Sequence, residues 1–169
     1  NGFSPELELA HRKDTDHIFG ALSQPCLASI PEAEREQYLP IGEQQFGKDD
    51  FMSCASNAPT AIYSAKFTYL YQKNKLKPEN RKWLEDNGYV SGGRIRFSKR
   101  FVAILSETTR QGNSLIKPLD TIHRYGLIPD SLFPKPEGAT FDEYYSGLTN
   151  EMQKLGKELA TRFPMNYER

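Results

Sequence analysis

Hydrophobic positions along this chain recur mostly at helical spacing. Ala58, Ala61, Ile62, Ala65 and Tyr69 fall at i, i+3, i+4, i+7 and i+11, the pattern of one helix face. It predicts a helix running to Gln72, its small-residue face turned inward so that another backbone packs close, with Pro78 as the stop. A short amphipathic piece over residues 81–86 carries Trp83, and Asn87-Gly88 and Ser91-Gly92-Gly93 are turn chemistry. Phe97, Phe101, Ile104 and Leu105 mark another helix with Ser98 near its start. Gly112-Asn113-Ser114 breaks the chain, and Ser114 is placed to cap a helix whose inner face is Leu115, Leu119 and Ile122. Gly126 is expected to close that helix with a left-handed residue.

Leu127, Ile128, Leu132 and Phe133 then read as an extended, proline-bounded segment. Leu148, Met152, Leu155, Leu159 and Phe163 give a last helical stripe, stopped by Pro164. The expectation is four main helices and no alternating strands before residue 164. Residues 1–20 read as an N-terminal arm with little periodicity, and residues 30–50, rich in charge and turn formers, as an irregular surface segment.

The bulk numbers change this picture little. The 169 residues suffice for one domain with a core. An aromatic share of 12% argues against a disordered chain. Lys plus Arg and Asp plus Glu balance at 22 each, so no global field favours nucleic acid or an anionic membrane. No apolar run approaches the roughly 20 residues of a membrane helix. Neither nucleic acid nor membrane is expected as a partner. A first residue of Asn rather than Met is expected of a processed chain or a piece of a longer one. Cys26 and Cys54 allow one disulfide or none, and the count does not choose.

Cys54 is the first candidate for chemistry. It stands where an irregular loop meets the small-residue helix, in FGKDDFMSCASNAPTAIYSA. At a helix start the first-turn amides and the helix dipole favour an anionic sulfur. The alternative is a buried, inert cysteine. Pro59 allows two starts for this helix. With Asn57 as cap, Pro59 lies in the first turn and Cys54 just outside; with Ser53 as cap, Pro59 removes one bond inside the helix.

The other candidates read as structural. His123 lies in the Leu115 to Tyr125 helix, where a histidine near the C-terminus suits the dipole. His11 and His17 flank Asp14 and Asp16, a spacing that matches no tight metal-ligand pattern, and a solvated arm is expected there. Ser114, Asp120 and His123 do not make a triad: Asp120 and His123 are helical neighbours and Ser114 is more than two turns away. Arg94, Arg96, Lys99 and Arg100 read as a solvated turn and helix end rather than a phosphate site. No metal and no cofactor is expected.

An ordered series of segments resembles papain-like cysteine peptidases. A loop, then Ser53-Cys54-Ala55-Ser56, then a long helix resembles the nucleophile region of that family. Arg96-Phe97-Ser98-Lys99-Arg100-Phe101 resembles its segment where a Ser opens a helix. Gln111-Gly112-Asn113-Ser114-Leu115, then Leu119 and Ile122, then Gly126 to Phe133-Pro134 resemble its glycine-rich turn, the helix that follows and the exit from glycine to a proline-aromatic pair. The wording is closer still to divergent papain-like domains encoded by tailed bacteriophages, in His17-Ile18-Phe19-Gly20-Ala21, Phe51-Met52-Ser53-Cys54, the run from Ser106 to Ser114, and Phe141-Asp142-Glu143-Tyr144-Tyr145. The similarity spans residues 17 to 168.

The resemblance implies an α+β papain-like cysteine peptidase fold, of which this chain is mainly the α-helical half: residues 1–20 an arm, residues 21–169 the helical half. The β-rich half is absent or beyond the chain end, with Met165-Asn166-Tyr167-Glu168 as its first strand. It implies Cys54 as nucleophile and Gln45, nine residues upstream, as oxyanion donor, with Gln44 beside it. The histidine base and its Asn or Asp orienter belong to the second half, so no catalytic histidine is expected in this chain. The flanks of Cys54, Ser53, Ala55 and Ser56, depart from the Gly and Trp of the plain family pattern. Two functions follow. One is the nucleophile-bearing part of a thiol peptidase, its partners a polypeptide substrate or the remaining half of the domain. The other is an inactive virion component of a tailed phage that retains the fold and contacts other virion proteins, which places the chain in a virion or a host bacterial cytoplasm.

Overall fold

The computed structural model describes residues 30–40 and 47–165. A 3-10 turn, Glu32–Glu34, runs into the one-turn helix α1 (Arg35–Tyr38). Then come α2 (Cys54–Gln72), α3 (Pro78–Asp86), the strands β1 (Val90–Ser91) and β2 (Arg94–Ile95), α4 (Lys99–Leu105), α5 (Ile116–Tyr125), the one-turn α6 (Phe141–Tyr144) and α7 (Asn150–Arg162). The composition is α+β and dominated by helix. The four expected helices are α2, α4, α5 and α7. The N-terminal arm, residues 41–46 and the proposed strand after Met165 lie outside the described residues.

Three differences from the sequence expectations have local causes. Pro78 does not merely stop α2; it opens α3 from the first helical position, where its missing N–H costs nothing. The stretch read as irregular after residue 30 folds into α1, because Tyr38 is buried edge-on against Tyr69, ring centroids 5.2 Å apart. β1 and β2 pair antiparallel, Val90 opposite Ile95 and Ser91 opposite Arg94. Gly92 and Gly93 both take positive φ in the connecting turn, as a tight hairpin requires. Strands of two residues show no alternation to detect.

The largest difference is the rotation of α2. Ala65 and Tyr69 are buried as expected, but Ala58 and Ile62 are exposed, and Ile62 keeps 56% of its surface. The buried side also carries Ser56, Thr60, Ser64 and Thr68, each at most 3% exposed. Four-residue spacing puts these hydroxyls on one face, and every one is hydrogen-bonded. Thr60 Oγ1 donates to the Ser56 carbonyl at 2.7 Å and Ser64 Oγ to the Thr60 carbonyl at 2.9 Å. Thr68 Oγ1 accepts from Ile95 N at 3.0 Å and donates to Ile95 O at 3.2 Å, so one side chain pairs with both polar groups of a β2 residue. Phe97 N donates to Ser64 Oγ at 3.2 Å. The helix thus binds the β2 backbone as a neighbouring strand would.

Around this seam the apolar core closes. Phe67 meets Phe97 edge to face at 5.0 Å, and Phe101, Val102, Ile122 and Leu159 are fully buried. Ser98 opens α4 as expected, accepting from Phe101 N at 3.1 Å. Ser98 N donates to Ile128 O and Asp130 N to Arg96 O, both at 3.0 Å, which fixes the extended segment after α5 against residues 96–98. Ser114 caps α5 by accepting from Lys117 N at 3.2 Å, but Leu115 is 45% exposed and the inner face is Ile116, Pro118, Thr121 and Ile122. Gly126 follows α5 with φ 70° and ψ −153°, a region open essentially to Gly alone, and a Cβ there would collide with the Gly156 carbonyl of α7. The two glycines let α5 and α7 touch backbone to backbone.

The rotation of α2 is testable. Thr68→Val keeps shape but strands the N–H and C=O of Ile95, and should cost about 1–3 kcal/mol. Ile62→Ala should stay within about 0.5 kcal/mol, as surface changes do. Urea unfolding of both variants measures the difference; equal losses would put the face the other way.

Candidate functional site

Residues 47–53, in front of α2, are held from one side by a single segment. Lys48 N donates to the Ala139 carbonyl at 2.9 Å, and Phe141 N donates to Asp49 Oδ2 at 2.9 Å. Phe51 is fully buried and stacks on Tyr144, centroids 4.2 Å apart and planes 10° from parallel. The Tyr145 hydroxyl donates to the Phe51 carbonyl at 2.7 Å. α6 is itself fixed by a capping box, in which Glu143 accepts from Thr140 N at 2.7 Å while Thr140 Oγ1 accepts from Glu143 N. The Thr140 backbone N–H and hydroxyl hold the Glu143 carboxyl below its ordinary range.

Between these anchors the chain turns sharply. Met52 N donates to Asp50 Oδ1 at 2.8 Å and Met52 takes φ 52°, a left-handed conformation that costs an L-residue about 1–2 kcal/mol. Ser53 follows as the cap of α2, so the Ser53 start is the one adopted and Pro59 lies inside the helix, leaving the Ala55 carbonyl without its usual donor. The Ser53 carbonyl accepts from both Ser56 N and Asn57 N at 2.9 Å, but its hydroxyl makes no capping bond. Cys54 is the first helical residue, a free thiol, partly exposed. Two buried polar oxygens beside it, Ser53 Oγ and Asn57 Oδ1, have no hydrogen-bond partner.

Beneath the first turn lies a buried hydroxyl network. Ser56 Oγ is 3.3 Å from Ser106 Oγ, which is 3.3 Å from Thr108 Oγ1. The Asn113 amide donates to Ser106 O at 2.8 Å, Ser106 Oγ at 3.1 Å and Thr108 Oγ1 at 3.0 Å. Its Oδ1 accepts from Ser114 N at 2.9 Å, tying the network to the start of α5. Burial, and after it the neighbouring Tyr144, push the Tyr145 phenol upward, so it remains a protonated donor.

Of the residues singled out in the sequence, Cys54 stands at the helix tip. Gln45, Gln44, His11, His17 and Cys26 lie outside the described residues. His123 is exposed in the last turn of α5, and its Nδ1 donates to the Met165 carbonyl at 3.0 Å. Among the described residues no group of three or more His, Cys, Asp or Glu is placed to hold a metal, and no helix is long and apolar enough to cross a membrane.

The basic cluster, read as solvated, is partly structural. Arg100 donates to the carbonyls of Tyr144 at 2.6 Å, Ser146 at 2.7 Å and Glu143 at 2.9 Å, and lies over the Phe133 ring. Arg94 donates to the carbonyls of Gln37 and Leu39 and so clamps α1. Tyr145, Thr108 and Asn113, which hold the site, were not singled out as site residues by sequence reasoning. Isolated hydroxyls and amides in loops carry no periodic signal. The every-fourth-residue run of Ser56, Thr60, Ser64 and Thr68 was a legible signal for the seam. Comparison of the chain with family models, curated proteins and solved structures finds no match.

The unsatisfied Ser53 hydroxyl gives a prediction of unusual sign. Replacing a capping Ser by Ala ordinarily destabilises by about 1 kcal/mol. Here the hydroxyl caps nothing and is desolvated, so Ser53→Ala should leave stability unchanged or raise it by up to about 1 kcal/mol. Thermal or denaturant unfolding checks this, and a loss of that size would show a capping bond.

Proposed function

We propose that this chain is the helical half of a papain-like cysteine peptidase domain, with Cys54 as its nucleophile. The observation that carries the reading is the setting of Cys54: a free, partly exposed thiol at the first position of a long helix, behind a loop clamped at Lys48, Asp49 and Phe51. First-turn amides at that position favour a negative sulfur and a developing oxyanion.

In this reading the Cys54 sulfur attacks a peptide carbonyl carbon and an S–C bond forms. The C–N bond breaks, and the amine leaves with the proton that a histidine supplied from outside this segment has taken from the thiol. Water then hydrolyses the thioester and regenerates the thiol. Gln45 is the proposed side-chain donor to the oxyanion, and a polypeptide is the substrate. Other partners are the remaining half of the same domain or, in a particle, other virion proteins.

A second reading keeps the fold without the activity, as a structural component of a tailed-phage virion. It is favoured by His123, the one histidine among the described residues, whose Nδ1 is engaged by a main-chain carbonyl.

Treating the full-length gene product with a peptidyl epoxide separates the two. The peptidase reading expects Cys54 to be modified faster than a free thiol of similar accessibility, as read by mass on the Cys54 peptide. Modification no faster than that removes the peptidase reading and leaves the structural one.

A further inference from the structure

The loop before Cys54 and the helix turn after it are each held by side chains from distant parts of the chain. Tyr145 Oη donates to the Phe51 carbonyl, three residues before Cys54, at 2.7 Å. Ser56, two residues after Cys54, is tied through Ser106 to Thr108 in two steps of 3.3 Å. Asn113 braces Ser106 and Thr108 together from the other side. Ser56, Ser106 and Asn113 are at most 1% exposed and Thr108 is 6% exposed, so water does not compete for these bonds.

From this geometry we infer that Tyr145 is a positioning residue for Cys54. It acts through the Phe51 carbonyl, which its hydroxyl holds three residues before the thiol. The inference rests on the reading of Cys54 as a reactive thiol and adds to it a residue far away in sequence.

The physical need is the conformation just before the thiol. Met52 at φ 52° lies in a region L-residues avoid, and such strain persists only where surrounding bonds over-determine it. Two anchors hold the peptide that joins Phe51 to Met52: Asp50 Oδ1 accepts from its N–H and the Tyr145 hydroxyl donates to its carbonyl. Without the phenolic hydroxyl the Phe51 carbonyl is freed. Met52 can then return to negative φ, and Ser53 and Cys54 rotate away from the helix tip. The aromatic ring of Tyr145 remains packed on Phe141, centroids 4.4 Å apart, so Tyr145→Phe removes the bond and spares the packing.

The test uses the full-length protein and measures modification rates of Cys54 by a peptidyl epoxide, which needs an oriented thiol, and by iodoacetamide, which needs an accessible one. Tyr145→Phe is expected to lower the epoxide rate by about tenfold or more, in the range misplacement of a reacting group costs. The iodoacetamide rate should change much less, and circular dichroism and melting temperature confirm that the variant is folded.

Folded Tyr145→Phe protein with a wild-type rate ratio overturns the inference and leaves Cys54 as the proposed nucleophile. Wild-type Cys54 that the epoxide modifies no faster than a free thiol overturns both.

Discussion

A helix that turns hydroxyls rather than aliphatic side chains toward the core is the constraint on which this structure depends. Leucines at positions 56, 60, 64 and 68 would hold a neighbouring element at side-chain distance. Ser and Thr let the β2 backbone come close enough for Thr68 to bond both polar groups of Ile95 and for Ser64 to accept from Phe97 N. Neither strand of a two-residue ribbon is stable by itself. β2 is ordered because α2 supplies the pairing that a third strand would give. Phe97, Phe101 and the extended segment after α5 are placed in turn by bonds to residues 96–98.

The same face accounts for the site. Ser56 is the first hydroxyl of the stripe and a member of the buried network of Ser106, Thr108 and Asn113. The helix tip is therefore fastened to the core below it, while the loop before it is fastened to α6. α6 is short and depends on its own fixings: the Thr140–Glu143 capping box, three carbonyls gathered by Arg100, and the Phe51–Tyr144 stack. A one-turn helix far along the chain thus holds the segment that leads into Cys54. Each of these bonds is buried or braced by a neighbour, which is what maintaining Met52 in a disfavoured conformation requires.

How much of this was legible in the sequence follows from which forces leave a periodic trace. α7 was readable because its stripe from Leu148 to Phe163 is aliphatic and aromatic. α4 and the cap of α5 were readable because Ser98 and Ser114 stand where a helix needs an acceptor. α2 was recognised as a helix but rotated, since a search for apolar faces ranks Ala58 and Ile62 above Ser64 and Thr68. Burial here follows hydrogen-bond satisfaction rather than hydrophobicity. Cys54 was found from its place at a loop-to-helix junction. Tyr145 was not, because its bond to the Phe51 carbonyl exists only after distant parts of the chain have come together. Arg94 and Arg100 looked like surface charge because the sequence does not show that main-chain carbonyls converge on them.

Native-state amide hydrogen exchange at Ile95 and Phe97 tests the buried hydroxyl seam most directly. Both amides donate to side chains of α2 rather than to a neighbouring strand. If the seam organises the core, both exchange only through global unfolding, with the protection of the central α2 amides. Exchange at the rate of the exposed turn at Gly92 and Gly93 would show that the β2 backbone is not held by Thr68 and Ser64, and would contradict the account.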